Sequence, residues 1–133
     1  MKRYIHFPLL AALMFTAWAC SDSFVVEPPD VTFPESNVSF NGHVMPLFEE
    51  SCATSGCHDE FSWPQAGQLQ LTSYNTLIDE PGMVRPFDST GSRLAQTLSG
   101  RGKSHPRSTV FDAVTFNQKH GIAVWIQEGA SNN

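Results

Sequence analysis

The organisation of this chain follows from one short segment, Cys52-Ala53-Thr54-Ser55-Gly56-Cys57-His58, in which two cysteines enclose four residues and a histidine follows directly. Just before it, Val44, Leu47 and Phe48 recur at the spacing of a single helix face. This pattern predicts a first helix over residues 43–52 that presents its apolar face to the core. The two cysteines and the histidine therefore stand at the end of a buried helix.

Length and charge limit what the rest of the chain does. The 133 residues suit one domain and leave no room for two ordinary ones. Lys and Arg number 8 against 13 Asp and Glu, which gives a formal charge of -5. This balance argues against nucleic acid as a partner, because phosphates are bound by clustered cations. After the N-terminal region, no apolar run is long enough to span a membrane.

The N-terminus has the pattern of an export signal. Lys2 and Arg3 precede an apolar stretch over residues 4–19, which is short for a membrane helix and ends in small residues. The segment Ala17-Trp18-Ala19-Cys20-Ser21 resembles a bacterial lipoprotein signal. The alternative is an ordinary signal peptide cut near Ala19.

The lipoprotein resemblance implies that residues 1–19 are removed and that Cys20 carries the lipid. The protein would then be anchored in the bacterial cell envelope, facing the periplasm or the cell surface. In lipoproteins an aspartate directly after the cysteine often signals retention in the inner membrane. Here Ser21 follows Cys20 and the aspartate comes one place later, at Asp22, which favours the outer membrane.

The next segment, residues 20–39, reads as an extended tether. It is acidic, and its prolines argue against a helix: Asp22, Glu27, Pro28, Pro29, Asp30, Pro34 and Glu35. The folded domain is then predicted over residues 40–133. A unit this small has a limited apolar core, so a crosslink or a covalent cofactor would help to stabilise it.

The cysteines leave two chemical interpretations open. If lipid takes Cys20, the remaining Cys52 and Cys57 form either a disulfide, as exported thiols tend to do, or two thioether bonds to haem. Cys-x-x-Cys-His is the attachment signature of c-type haem, with the histidine as proximal iron ligand. Here four residues separate the cysteines instead of two, and Gly56 supplies the flexibility that a longer loop requires.

Residues 40–130 also resemble the small planctomycete-type cytochrome c domain of exported bacterial proteins. The match rests on four segments in the family's order and on a helix before the last of them. These are Val44-Met45-Pro46-Leu47-Phe48, Cys52 to His58, Ala66-Gly67-Gln68-Leu69-Gln70-Leu71-Thr72-Ser73-Tyr74, Ser92-Arg93-Leu94 and Trp125-Ile126-Gln127-Glu128-Gly129-Ala130.

This resemblance implies one covalent haem c, bound through Cys52 and Cys57, with His58 on the iron. The family's distal ligand is commonly a methionine before the last helix, where this chain instead has Ser104-His105-Pro106-Arg107. We therefore assign His105 as the tentative distal ligand. Met83 and an open, water-bound position are the alternatives, and His43, Met45 and His120 are weaker candidates.

Three more helices complete a prediction of an all-α fold with three to four helices and long loops around the haem. They cover residues 73–79 with Ser73 as N-cap, residues 90–98, and residues 116–128. In the last helix, Thr115 and Gln118 form a capping-box pattern, and the inward stripe is predicted as Phe116, Ala123 and Ile126. Gln68-Leu69-Gln70-Leu71 alternates but makes at most one short extended segment.

These features predict a lipid-anchored c-type cytochrome that carries single electrons to a redox partner protein, with aromatic packing around the haem from Phe61, Trp63 or Trp125. The alternative is a module without haem, which has a Cys52–Cys57 disulfide and belongs to a cell-envelope complex. An enzymatic role ranks last, because peroxidase-like activity would need an open sixth iron position.

Overall fold

The computed structural model describes residues 30–102, 105 and 114–133 of the chain. The predicted signal peptide, residues 1–19, the lipidated Cys20 and the tether up to residue 29 lie outside these residues. The described residues form helices and no strand, which confirms the all-α class and leaves residues 68–71 irregular. The elements are a π-helical turn Phe40–Val44, α1 Met45–Ser51, α2 Tyr74–Ile78, α3 Arg93–Leu98 and α4 Phe116–Gln127.

The first helix starts earlier than the predicted residue 43, in a π-helical turn. The Ser39 hydroxyl caps this turn by accepting the Gly42 N–H, and the Met45 N–H donates to the Phe40 carbonyl five residues back. Pro46 then falls in the first turn of α1, where its missing N–H costs nothing. The predicted inward face is confirmed, since Val44, Leu47 and Phe48 are all buried.

The second helix matches its predicted place, and the third ends at the predicted residue. The Ser73 hydroxyl accepts the Thr76 N–H at the start of α2, and Leu77 is fully buried. Helix α3 begins three residues later than predicted. Asp88 there accepts hydrogen bonds from Thr90 and Gly91 and folds residues 88–91 into a turn.

The last helix is capped as predicted. The Thr115 hydroxyl accepts the Gln118 N–H, and the Gln118 side chain accepts the Thr115 N–H, so both halves of the capping box are present. Beyond the helix, Gly129 takes a φ of 105°, which suits the predicted C-terminal position.

The inward stripe predicted for this helix was wrong at Phe116, whose side chain is 85% exposed. The buried stripe is instead Ile122, Trp125 and Ile126, at i, i+3 and i+4. An α-helix advances about 100° per residue, so Phe116 lies about 120° around the helix from Ile122. Phe116 stacks on His120 one turn later, with ring centroids 6.2 Å apart.

The second half of the predicted tether is part of the folded domain, which corrects the boundary at residue 39. Phe33 and Val38 are buried at 3% and 2% exposure. The Asn117 side chain of α4 bonds both backbone groups of Phe33, accepting its N–H at 2.8 Å and donating to its carbonyl at 3.0 Å. We call residues 31–39 the strap, because this segment lies along α4.

Two further side chains of the C-terminal region hold the strap. Gln118 donates to the Val31 carbonyl at 3.0 Å. Glu128 accepts the N–H groups of Asn37 and Val38, one on each carboxylate oxygen, at 2.7 and 2.9 Å. These N–H and carbonyl groups of the strap are thus bonded to side chains of the C-terminal region and not to a neighbouring strand.

Gly121 is the point where the strap approaches α4 most closely. A Cβ at this position would lie 2.2 Å from ring atoms of Phe33, far inside van der Waals contact. The glycine weakens the middle of the helix by its backbone freedom but leaves room for the aromatic ring. No helix among the described residues is long and apolar enough to cross a membrane.

We predict that Gly121→Ala lowers the free energy of unfolding by about 1–3 kcal/mol, because the new methyl group displaces the Phe33 ring. Alanine's better helix propensity, about 1 kcal/mol, opposes this loss. In a Phe33→Ala background the same change is expected to be neutral or stabilising, because the ring is gone. Denaturant unfolding of all four chains measures the coupling; a stabilising Gly121→Ala in the wild-type background would contradict the close contact.

Candidate haem site

The motif folds into a short loop that starts from the end of α1. The Cys52 N–H donates to the Phe48 carbonyl at 2.8 Å, so the first cysteine is fixed by the helix. The chain then turns through Gly56, at a φ of 81°, and the His58 N–H donates back to the Cys52 carbonyl at 3.0 Å. Cys52 and Cys57 stand in this loop as thiols, not joined in a disulfide.

The environment of Cys52 favours its neutral thiol. Burial raises the pKa of Cys52 to about 12, and the neighbouring Cys57 adds a smaller contribution in the same direction. Because the thiolate is the nucleophilic form of cysteine, this environment slows the attack of Cys52 on electrophiles at neutral pH.

His58 is held by its backbone and by its ring. Its carbonyl accepts the Leu71 N–H at 3.0 Å, and its Nδ1 lies 2.8 Å from the Leu69 carbonyl oxygen. A carbonyl oxygen only accepts, so Nδ1 carries the hydrogen, and in the neutral ring Nε2 keeps its lone pair. Metal-binding histidines are typically oriented in this way, by donating their other ring N–H to a carbonyl or carboxylate.

The predicted distal residue lies beside the predicted proximal one. The ring centroids of His58 and His105 are 5.9 Å apart, with an interplanar angle of 60°. Two imidazoles on opposite sides of one metal ion have centroids about 6 Å apart, because metal–nitrogen bonds are about 2 Å long and each ring centre lies about 1 Å further. The spacing of this histidine pair therefore suits one shared ion.

The His58–His105 pair offers two nitrogen ligands, the number that haem iron can take from a protein. In the part of the chain that the structure describes, no group of three or more His, Cys, Asp or Glu side chains is arranged to hold a metal ion. Haem iron receives four nitrogens from the porphyrin and needs at most two more ligands. The two thiols of the loop and the two imidazoles are groups of the kind that would hold a covalently bound haem.

The other ligand candidates are engaged elsewhere. Met83 is 6% exposed and belongs to the hydrophobic core. His43 accepts the Ser39 N–H on its Nδ1, and His120 stacks on Phe116 at the surface. Met45 packs against the core at the start of α1.

The aromatic residues proposed for haem packing differ in position. Trp125 is fully buried, contacts Phe40 at a centroid distance of 5.6 Å and donates its indole N–H to the Ser131 carbonyl, so it is a core residue. Phe61 is 85% exposed and Trp63 is half-buried. Only these two follow the cysteine motif closely in the chain.

Asp59 is a residue of the site that the sequence analysis missed. Its carboxylate accepts the N–H groups of Gly56, Phe61 and Ser62 and the Ser62 hydroxyl. These bonds, first of all that from the Ser62 N–H, lower the pKa of Asp59. An aspartate three residues before a serine is a common turn signal, and it could have indicated this arrangement.

Comparisons of the chain with protein-family models, with curated proteins and with solved structures found no match. The resemblance to the planctomycete-type cytochrome c domain therefore rests on the motifs quoted above, and the site is argued from its own geometry.

We predict that in the haem-free, folded protein Cys52 is alkylated by iodoacetamide at pH 8 on the order of 1,000-fold more slowly than in the urea-unfolded chain, the ratio of the two thiolate fractions. A pKa of about 12 leaves the thiol protonated through this range, so its rate should rise with each pH unit from 8 to 11. Mass spectrometry of the Cys52 peptide measures both rates. A rate that levels off near pH 9 would show that the thiol is not desolvated.

Proposed function

We propose that this protein is an exported, lipid-anchored c-type cytochrome that carries single electrons through one covalent haem. The observation that carries the proposal is the state of His58. Its Nδ1–H is committed to the Leu69 carbonyl, its Nε2 is left to bind a metal, and the imidazole of His105 lies 5.9 Å away. The thiols of the preceding loop supply the covalent attachment.

Each residue has one task in this proposal. Cys52 and Cys57 would hold the haem through thioethers, His58 would be the proximal ligand and His105 the distal ligand. The bound haem supplies the reversible one-electron change, and the chain fixes its position and its axial ligands. If His58 and His105 both bound the iron, no open position would remain for a substrate, which favours an electron carrier over an enzyme.

The location follows from the sequence signals. In the proposed mature protein residues 1–19 are removed and lipid on Cys20 holds the domain at the bacterial cell envelope, with the outer membrane favoured. The partner is then another redox protein of this compartment. Nucleic acid is not a partner, in keeping with the acidic charge.

A cell-envelope module with a Cys52–Cys57 disulfide is the second candidate. It is favoured by the bond between the His58 N–H and the Cys52 carbonyl, which closes the loop and returns the chain to the first cysteine.

We predict that the full chain, expressed with a bacterial haem-attachment system, gains the mass of one haem. The colour should persist in denaturing gels, because thioether bonds survive unfolding. Cys52→Ser combined with Cys57→Ser is the matched control and should be colourless. A wild-type chain that stays colourless, with its two loop sulfurs joined to each other, would favour the second candidate.

We further predict that His105→Ala converts a low-spin haem into a high-spin one, because the iron loses one strong-field ligand. The visible and electron paramagnetic resonance spectra of the oxidised protein measure this change. His120→Ala, at an exposed histidine of α4, is the control and should leave the spectra unchanged. A His105→Ala protein with the wild-type spectrum would reject His105 as a ligand.

A further inference from the structure

We propose that the N-terminal end of α4, with the exposed ring of Phe116, is a membrane-contact surface that docks on the bilayer holding the lipid of Cys20. The inference rests on one part of the proposed function, the lipid anchor, and does not depend on the haem. It assigns a lipid surface as the partner of this end of the domain.

The strap and α4 run in the same direction. The Val31 carbonyl accepts the side-chain amide of Gln118 in the first turn of α4. At the other end of the helix, the N–H groups of Asn37 and Val38 donate to the Glu128 carboxylate. The strap therefore begins at the N-terminal end of α4, and the chain that leads from Cys20 joins the domain there.

Phe116 lies at the same end of α4. It is the first residue of the helix, and its side chain is 85% exposed. The next two residues, Asn117 and Gln118, hold the beginning of the strap. The Phe116 ring stacks on His120 and has no place in the core, so its apolar surface faces outwards beside the start of the strap.

The lipid anchor keeps this end of the domain near the bilayer. Eleven residues lead from Cys20 to Val31, and a polypeptide spans at most about 3.6 Å per residue. Val31 therefore lies within about 40 Å of the residue that carries the lipid. The far end of α4 is removed from Val31 by the length of the helix, about 18 Å, so the N-terminal end is the one that the anchor brings to the membrane.

One aromatic ring is enough to orient a domain that is already anchored. Burial of a phenylalanine side chain shifts an equilibrium by about 10- to 100-fold. A free protein would need more than this to bind a membrane, because it must also give up its freedom to diffuse. The lipid has already removed most of that freedom, so the second contact forms as if within one molecule.

The charges at this end indicate an apolar contact and not an electrostatic one. Asp30 and Glu35 are exposed carboxylates, and Lys119 is the lysine of the first turns of α4. Two carboxylates and one lysine give no surplus of cations to attract anionic headgroups among the described residues of this end. The contact is therefore expected on zwitterionic bilayers, and added salt should not weaken it.

Hydroxyl-radical footprinting tests the contact within one molecule. The lipidated mature chain is reconstituted into vesicles of phosphatidylethanolamine and phosphatidylcholine, and mass spectrometry follows the oxidation of each phenylalanine. The matched control is a Cys20→Ser chain, exported with a conventional cleavable signal in place of residues 1–19 and mixed with the same vesicles. We expect Phe116 to be oxidised about tenfold more slowly in the lipidated protein than in this control, at low and at high salt.

Phe87 is the internal reference at the opposite end of α4. Its side chain is 68% exposed, and its N–H donates to the Ile126 carbonyl near the C-terminal end of the helix. It should be oxidised at the same rate in the lipidated protein and in the control. Equal protection of Phe87 and Phe116 would contradict docking through the N-terminal end.

The lipidated Phe116→Ser variant gives a second test. The exposed ring contributes little to the core, so this variant should keep the wild-type unfolding midpoint. Vesicles should slow the oxidation of the half-buried Val31 in the wild type, and Phe116→Ser should restore the control rate. Phe61→Ser, which removes an equally exposed ring in the segment after the cysteine loop, should leave Val31 protected.

Three results would overturn the inference. If Phe116 is oxidised equally in the control and in a protein whose mass shows the lipid, the anchor stands and the docking surface falls. If Phe116 is already protected in the unlipidated chain without vesicles, another part of the chain covers it, or a second copy where the protection grows with protein concentration. If the mature chain carries no lipid, the anchor and the docking surface fall together, whereas a lipidated protein without haem would refute the electron carrier alone.

Discussion

The arrangement of the candidate site depends on the two hydrogen bonds that join His58 to the segment 69–71. One fixes the ring through Nδ1 and the Leu69 carbonyl, and the other fixes the backbone through the His58 carbonyl and the Leu71 N–H. Leu71 is buried at 4% exposure and leads directly to the Ser73 cap of α2. The core therefore controls the orientation of the imidazole through two residues, although the loop around it contains no regular structure.

The strap covers one side of the core, and side chains of the C-terminal region bond its backbone in the way that a neighbouring strand would. Asn117, Gln118 and Glu128 offer amide and carboxylate groups to the backbone of the strap, and Phe33 fills the space above Gly121. At the opposite end of the chain, Asn133 accepts the N–H groups of Phe40 and Asn41. The strap is thus bound to α4, and the C-terminal residue Asn133 is bound to the first helical turn. Such long-range bonds suit a small unit with few helices. If Cys20 carries lipid, the strap links that anchor to α4.

Local signals in the sequence predicted much of this fold, and long-range contacts account for what was missed. The capping residues Thr115, Gln118 and Ser73 act within one helical turn, so their roles were readable from neighbouring residues. The strap was mistaken for tether because its prolines and acidic residues are typical of linkers. Its burial depends on Asn117 and Glu128, more than eighty positions away along the chain. Phe116 was wrongly placed on the buried face, because the spacing of apolar residues does not by itself show which face of a helix packs against the core.

The site shows the same division. Cys52, Cys57 and His58 are close in sequence, so the sequence alone indicated that they form one site. The carbonyl that orients His58 comes from Leu69, and no sequence motif indicates that hydrogen bond. The place of His105 beside His58 was expected from a family resemblance, and the ring distance of 5.9 Å supports it.

The choice between His105 and Met83 as distal ligand can also be argued energetically. Met83 is buried, and its N–H and carbonyl are bonded to Glu80 and Leu94. Withdrawing its side chain from the core would leave a cavity, at a cost of about 2–5 kcal/mol. His105 already lies next to His58 and would bind without emptying the core. Iron with two imidazoles has a lower reduction potential than iron with one imidazole and a thioether, so His105 as the distal ligand of the proposed cytochrome would lower its potential.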